Sequence, residues 1–300
     1  MGKLEGKVAA ITGSGRGIGR GIAMLMAKQG AKVVVNDLGS SVDGEGKDAS
    51  HAQQVVNEIK EAGGEAVANT ENIATVKGGE NLVQNAVDSF GKLDILVNCA
   101  GILRDRMIFN MSEEEWDAVV AVHLKGHFCT IRPASALMRQ QKGGRIINFS
   151  SGSALGAPGQ PNYAAAKAGI LGLTYSCANA LKKYGITCNA ILPGAATRMT
   201  DTIPANFAQG MGLTESSEAA QEQSSPMDPG NVAPIVVFLA SDDAQEVTGQ
   251  AFGASGYRIA LYTHIEPEKT IYSPGPWDLD HLFKVFKSTL GSHLKPPRML

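Results

Sequence analysis

Cysteine is scarce in this chain: there are four among 300 residues, at positions 99, 129, 177 and 188. They lie in apolar helix or strand contexts without metal-ligand spacing, so they read as reduced core thiols rather than a disulfide framework or a metal cluster. Charge of one sign is lacking too. With 19% charged residues and a formal net charge of −2, nothing points to a nucleic-acid or membrane-surface partner. Long hydrophobic runs are absent; no stretch of about twenty apolar residues exists to span a bilayer, and no N-terminal apolar stretch resembles a signal peptide. The Arg-Met-Leu terminus is no convincing targeting address, so a soluble cytoplasmic protein is expected. What is present suits a globular fold: a hydrophobic content of 43% and a length sufficient for a sizeable core in one or two domains.

Strand-like and helix-like segments alternate. Strands are expected near 7–12, 32–37, 65–69, 93–98, 144–150, 186–192 and 249–254, and helices at 17–29, 48–62, 79–90, 113–141, 161–184 and 230–240. Such alternation implies a parallel sheet covered on both faces. No internal repeat is evident. The Gly-, Ser- and Asp-rich stretch 39–47 reads as a long loop. Residues 195–229 lack a clean period but carry Met199, Ile203, Phe207, Met211 and Met227, which suits a lid over an apolar substrate. From Tyr257 a Pro- and Gly-containing stretch leads to Trp277 and an amphipathic segment with Leu279, Leu282, Phe283 and Phe286 at near-helical spacing.

Chemistry is concentrated in two places. The run Lys7 to Thr12 reads as a buried strand, followed by Gly13-Ser-Gly15-Arg-Gly17-Ile-Gly19 and a helix. Glycines let the backbone approach a pyrophosphate, and the helix N-terminus offers N–H groups to it. The next strand ends at Asp37, placed to bond the hydroxyls of an adenine ribose. Farther on, Tyr163 and Lys167 stand four apart, on one face of a helix. An ammonium beside a phenol favours the phenolate, and a tyrosine tuned towards neutrality exchanges protons with an alcohol or carbonyl.

Together these residues resemble the short-chain dehydrogenase/reductases, from about Leu4 to Gly253. The resemblance rests on Thr12-Gly-Ser-Gly-Arg-Gly-Ile-Gly19, Asn98-Cys-Ala-Gly101, Ser150-Ser151, Tyr163-Ala-Ala-Ala-Lys167 and Asn189-Ala-Ile-Leu-Pro193-Gly194, in that order. It implies a Rossmann-type, doubly wound α/β fold with a seven-stranded parallel sheet and helices on both faces. The enzyme domain is placed at 1–256 with its lid at about 195–229, and a C-terminal extension at 257–300 packs on the core or a neighbouring subunit. The family's general acid/base falls on Tyr163, with Lys167 lowering its pKa and bonding the nicotinamide ribose. A serine polarises the substrate oxygen. Strand register favours Ser151 and counting back from Tyr163 favours Ser150, and the alternation of strand side chains weighs for Ser151. Where the family has a fourth catalytic residue, an asparagine, this chain has His123, which can bridge to water but also titrate.

For the cofactor, the resemblance implies contacts from Gly13, Ser14, Arg16, Gly17, Ile18 and Gly19 in the glycine turn and from Asp37 at the ribose. Asn72 and Ile73 stand at the adenine edge, where the family usually has Asp-Val. Asn98, Ala100 and Gly101 pass under the ribose, and Pro193, Gly194 and Thr197 line the nicotinamide. Arg16 is of the kind that accompanies a 2′-phosphate, but Asp37 repels one, so NAD is expected. The segments Val33 to Gly39, Gly101 to Arg106, Val122 to Gly126, Gly159 to Tyr163 and Arg198 to Thr200 are similar to the hydroxyacyl-CoA dehydrogenase unit of multifunctional β-oxidation enzymes, including the histidine in place of asparagine; the long tail and single-unit length differ. The reading is therefore an NAD-dependent oxidoreductase interconverting a secondary alcohol and a ketone, on 3-hydroxyacyl-CoA first. A hydroxysteroid, an NADPH-linked 3-oxoacyl reductase and a non-catalytic nucleotide-binding regulator are the alternatives. A homodimer or homotetramer is expected through helices 113–141 and 161–184, rich in small residues such as Ala164, Ala168 and Gly172.

Overall fold

The computed structural model describes residues 2–202, 216, 218–219 and 225–296. Most of the expected lid, including Ile203, Phe207 and Met211, lies outside the described residues. Among those described, eight strands form one sheet in the order β3-β2-β1-β4-β5-β6-β7-β8. They are β1 Val8–Thr12, β2 Lys32–Asn36, β3 Ala66–Asn69, β4 Ile95–Asn98, β5 Gly144–Phe149, β6 Ile186–Gly194, β7 Ala251–Ser255 and β8 Arg258–Leu261. The first seven are parallel neighbours, matching the seven expected; β8 is an addition, pairing antiparallel to β7 with Ser255 opposite Arg258 across Gly256-Tyr257. An edge strand with one neighbour and exposed Ile259 and Leu261 has no buried face to impose a pattern. That is why the sequence there read as the start of a tail.

The sheet is apolar on both faces, as parallel sheets between helices are. Ala9, Ile11, Val33, Val35, Ile95 and Val97 point to one side. There they meet helices α1 (Gly17–Lys28) and α2 (Ser50–Glu61) through Ile22, Met26, Val55 and Ile59. Val8, Ala10, Val34, Leu96 and Ile146 point to the other, against Leu82 and Val83 of α3 (Val76–Phe90). The expected helix at 113–141 is three pieces: α4 (Glu113–Val120), a wider π turn at Ala121–Lys125, and α5 (Gly126–Gln141), which packs through Met138. Then come α6 (Pro161–Leu181) and α7 (Ala233–Ala240), the latter returning to the first face with Val236 and Leu239.

The chain divides after Tyr262, so β8 belongs to the sheet body. In the second unit Asp278 caps α8 (Leu279–Phe286) by accepting the His281 N–H at 2.9 Å, Trp277 stacks on His281, and Lys295 pairs with Glu268.

Strand order reverses between β1 and β4, the switch point at which such sheets open a crevice beyond their carboxyl ends. Thr12, Asn36 and Asn98 stand in register at that edge.

Candidate active site

A cleft of about 1380 Å³ opens along this edge. Its floor is the turn after β1. There Gly13 takes a positive φ of 65°, and a Cβ on it would stand 2.6 Å from Ala100 Cα. A Cβ on Gly19 would run into the Gly13 carbonyl. Only glycine leaves the backbone bare here. Helix α1 starts without a side-chain cap, so its first N–H groups are left for a bound anion. The Thr12 hydroxyl accepts the N–H groups of Cys99 and Ala100 at 3.0 and 3.1 Å, locking the turn after β4 beside this floor. Asp37 accepts the Gly15 N–H on one oxygen at 2.8 Å and the Gly39 N–H on the other at 2.7 Å. Each oxygen keeps a lone pair for a ribose hydroxyl. Arg16 donates to the Ser40 carbonyl at 2.7 Å, with its Nε buried and unpartnered among the described residues. Arg198 joins it at this end; burial first and then the Arg16 charge lower its pKa, while Asp37 raises it. A bare turn, an uncapped helix and a carboxylate at the β2 end fit a dinucleotide.

Asn72, Ile73, Ala100, Gly101, Pro193, Gly194 and Thr197 line the same cleft, as expected, together with Gly17 and Ile18. Two expected contacts do not reach it. Asn98 is buried in the sheet, giving its amide N–H to Asn148 at 3.0 Å and accepting the Thr130 hydroxyl at 2.7 Å; Asn148 in turn reaches Thr174. Strand alternation turns Asn98 inward and leaves Cys99 to Gly101 at the rim. The Ser14 hydroxyl likewise points inward, to the Ile11 carbonyl at 2.7 Å.

At the other end stand the proton-handling groups. Ser151 and Ser150 part company as adjacent strand-end residues should. Ser150 is buried and donates to the Lys167 carbonyl at 2.8 Å, tying β5 to α6. The Ser151 hydroxyl accepts the Ser153 N–H at 3.1 Å and lies near enough to the Tyr163 phenol to favour its ionised form. Lys167 donates to the Phe149 carbonyl at 2.6 Å, with Nζ 5.3 Å from the centre of the Tyr163 ring. The expectation that Lys167 pulls the phenol towards neutrality is not met within the chain. Burial dominates, pushing Tyr163 up to about 12, with Asp105 and Cys99 adding to it against the Ser151 hydroxyl. Burial also brings Lys167 down to about 8. Near neutral pH the pair is thus a phenol beside an ammonium, set for proton donation.

His123 sits in the π turn, a feature frequent at functional sites, with its ring edge-on to Tyr163 at 5.0 Å between centroids. Its Nε2 lies 2.8 Å from the Ile102 carbonyl oxygen, and Nδ1 is buried without a partner among the described residues. One turn on, His127 was missed from the sequence, although it repeats the four-residue spacing of Tyr163 and Lys167. Its Nδ1 donates to the His123 carbonyl at 2.5 Å, and its Nε2 is unpartnered among the described residues. Burial first, then the Lys167 charge, hold His123 well below the imidazole range and His127 at about 3. His123 is therefore neutral at working pH, and its expected titration does not occur there.

This has a measurable consequence. An unfolded imidazole takes up a proton near 6.5, whereas folded His127 does so only near 3. Between these values the unfolded chain binds more protons, so stability falls as pH drops. The slope is about 1.4 kcal/mol per pH unit for each such histidine. His127→Asn, whose amide can still meet the His123 carbonyl, is expected to remove about one such slope from the urea-unfolding free energy between about pH 6 and 4.5. An unchanged slope would mean that His127 is already charged in the folded chain.

The comparisons with known proteins agree with this geometry. Residues 13–256 match the family model described as enoyl-(acyl carrier protein) reductase. The chain is 44% identical over 289 residues to the hydroxyacyl-CoA dehydrogenase ChsB1 of Mycobacterium tuberculosis, covering 92% of this chain and 86% of that one. The chain belongs to the short-chain dehydrogenase/reductase family. It is an oxidoreductase, and this family binds a nicotinamide dinucleotide, NAD or NADP. Another relative, the peroxisomal multifunctional enzyme type 2 of Mus musculus, is 43% identical over 248 residues; the match takes in 82% of this chain but 31% of that much longer enzyme. A crystal structure of a short-chain dehydrogenase from Mycobacterium avium superposes with a TM-score of 0.84 at 44% identity, covering 100% of this chain and 99% of that one. Among the described residues no helix is long and apolar enough to cross a membrane.

Proposed function

We propose that this short-chain dehydrogenase/reductase interconverts a secondary alcohol and a ketone at carbon 3 of an acyl-CoA, using NAD. The observation that carries the reaction is the convergence of Ser151, Tyr163 and Lys167 on one cleft wall, with Lys167 Nζ 5.3 Å from the centre of the Tyr163 ring. Ser151 Oγ accepts from a backbone N–H, which holds the hydroxyl where it can donate its proton to a substrate oxygen. Tyr163 Oη supplies or removes the proton that the oxygen gains or loses. The Lys167 ammonium favours any negative charge that develops on Oη. His123, neutral and edge-on to Tyr163, fixes the ring. When bound, the dinucleotide supplies or accepts the hydride. The residues that would hold it are the glycine turn and the α1 N-terminus for the pyrophosphate, Asp37 for the adenosine ribose, and Asn72 and Ile73 for the adenine edge. Pro193, Gly194 and Thr197 would hold the nicotinamide, and Tyr163 and Lys167 its ribose.

The 3-hydroxyacyl-CoA assignment is supported by the names of the relatives and by Leu103, Met107, Met199 and Met227, which give the cleft an apolar wall for an acyl chain. A screen of NAD reduction with 3-hydroxyacyl-CoA, hydroxysteroids and simple sugar alcohols tests it; turnover of a steroid alone would replace it. A cytoplasmic homodimer or homotetramer is part of this reading, supported by Trp116 and Phe128, exposed on α4 and α5.

Cofactor choice is expected to follow Asp37. A carboxylate whose oxygens face a ribose accepts hydroxyls and repels a 2′-phosphate. NAD is therefore expected to exceed NADP in kcat/KM by at least about tenfold, a difference of about 1.4 kcal/mol, and Asp37→Ala to close the gap. Preference for NADP in the parent would mean that Arg16 and Arg198 outweigh the carboxylate.

A further inference from the structure

Beyond Ser151 the cleft wall carries a carboxylate that the proton chemistry leaves unused. Asp105 lies between Arg104 and Arg106, and neither neutralises it. Arg104 pairs with Glu45 at 2.5 Å and Arg106 with Glu115 at 2.9 Å. Asp105 Oδ2 accepts from Gln160 Nε2 at 2.7 Å, and Gln160 Oε1 accepts the Ser153 hydroxyl at 3.0 Å. The Ser153 N–H is the one that holds Ser151 Oγ. The backbone is pinned as well: the Arg106 N–H meets the Gly159 carbonyl at 2.8 Å, and the Asn162 amide meets the Arg104 carbonyl at 2.9 Å. The carboxylate is thus held in one orientation. Its Oδ1 has no partner among the described residues, and Asp105 lines the cleft with Ser151 and Tyr163. Asp105 is exposed to the cleft; the nearby protein still raises its pKa by partial desolvation, against the Gln160 bond, and its charge reaches Tyr163. An unpaired anion facing the substrate side of the acid–base pair acts on whatever enters.

Resting on the 3-hydroxyacyl reading, we propose that Asp105 is a specificity-determining residue that reads substrate charge. Its free oxygen accepts an amide N–H from a neutral thioester arm, and its negative charge turns away the free carboxylate of an unesterified 3-hydroxy or 3-oxo acid. Placing the substrate oxygen at Ser151 and Tyr163 leaves carbon 1 three bonds from it, within the cleft that Asp105 also lines. Like charges brought within a few ångströms repel even across water, and more strongly at a protein surface than in bulk solvent. An amide N–H on a carboxylate is a charge-assisted bond.

The test pairs acetoacetate with its N-acetylcysteamine thioester, each titrated calorimetrically into protein saturated with NAD, a combination that cannot react. The parent is expected to bind the thioester about 100-fold more tightly. Asp105→Asn can keep the Gln160 contact through its one oxygen while losing the charge, and is expected to bring the ratio within about threefold, mainly by gaining the free acid. Asp105→Ser, a second neutral variant, should move the same way. An identical ratio in the parent and both variants overturns the proposal, as does a parent that binds both probes equally. Turnover separates the two readings. If no acyl thioester is oxidised or reduced while the charge effect holds, the substrate assignment fails and the role of Asp105 stands. If thioesters react and the ratio ignores Asp105, only the latter falls.

Discussion

Replacing Tyr163 by phenylalanine is expected to lower kcat by about three orders of magnitude, within the range that a positioned acid–base group contributes, and to leave the dissociation constant for NAD within about twofold. The two readouts separate because Tyr163 would be only one of many cofactor contacts, with Lys167 beside it on the same ribose. Dinucleotide affinity rests on the glycine turn, the α1 N-terminus and Asp37, at the far end of the cleft. The ring itself survives the change: its edge-on contact with His123 and the Lys167 ammonium near its face need no hydroxyl. What is lost is Oη and the proton it carries. The direction of reaction sharpens the expectation. With the phenol held near 12 and Lys167 near 8, the parent near neutral pH carries a proton to give, so ketone reduction should be the more severely affected. Parent-like turnover in Tyr163→Phe would remove Tyr163 from the chemistry. Lost NAD binding would show that the phenol is a cofactor ligand first.

How much of this was legible in the sequence depended on whether a residue's neighbours in sequence set its surroundings. The seven parallel strands were visible because most are short apolar runs buried on both faces, with glycine or polar residues closing them. Strand β8 was not, since an edge hairpin with exposed Ile259 and Leu261 obeys no burial pattern. The glycine turn, Asp37, Tyr163 and Lys167 were legible as spacings within single elements. Asn98 was misplaced because a residue at a strand end faces either the rim or the interior, and Asn148 and Thr130, remote in sequence, decide that it faces inward. His127 was passed over although its partner is local, because spacing alone does not show that both histidines are buried; Asp105 was passed over because its partner is remote. The first gains meaning from the His123 carbonyl one turn away, the second from Gln160, which is fifty-five residues distant. The pKa of Tyr163 misled most. The spacing correctly places an ammonium near the ring, but spacing says nothing of burial, and burial is the larger effect.

The choice between the two serines offers the second large effect. Ser151→Ala is expected to lower kcat by about 10²- to 10³-fold, the loss that follows removal of one donor aimed at a developing oxyanion, with little change in NAD affinity. Ser150→Ala is expected to act on the fold. Its hydroxyl is buried against the Lys167 carbonyl, an acceptor inside helix α6, so its removal deletes one buried hydrogen bond and costs about 1 kcal/mol of stability. The fall in kcat should be no more than about tenfold, through a loosened Lys167. The split is thus in kind as well as size: one variant is inactive and stable, the other active and less stable. Strand geometry underlies it, because successive side chains leave β5 on opposite sides. The Ser153 N–H on Ser151 Oγ then holds that hydroxyl where it can donate its proton to a substrate oxygen. Unfolding midpoints beside kcat for the two variants decide the matter. A stable but inactive Ser150→Ala with an active Ser151→Ala would reverse the assignment and move the substrate oxygen to the inner serine.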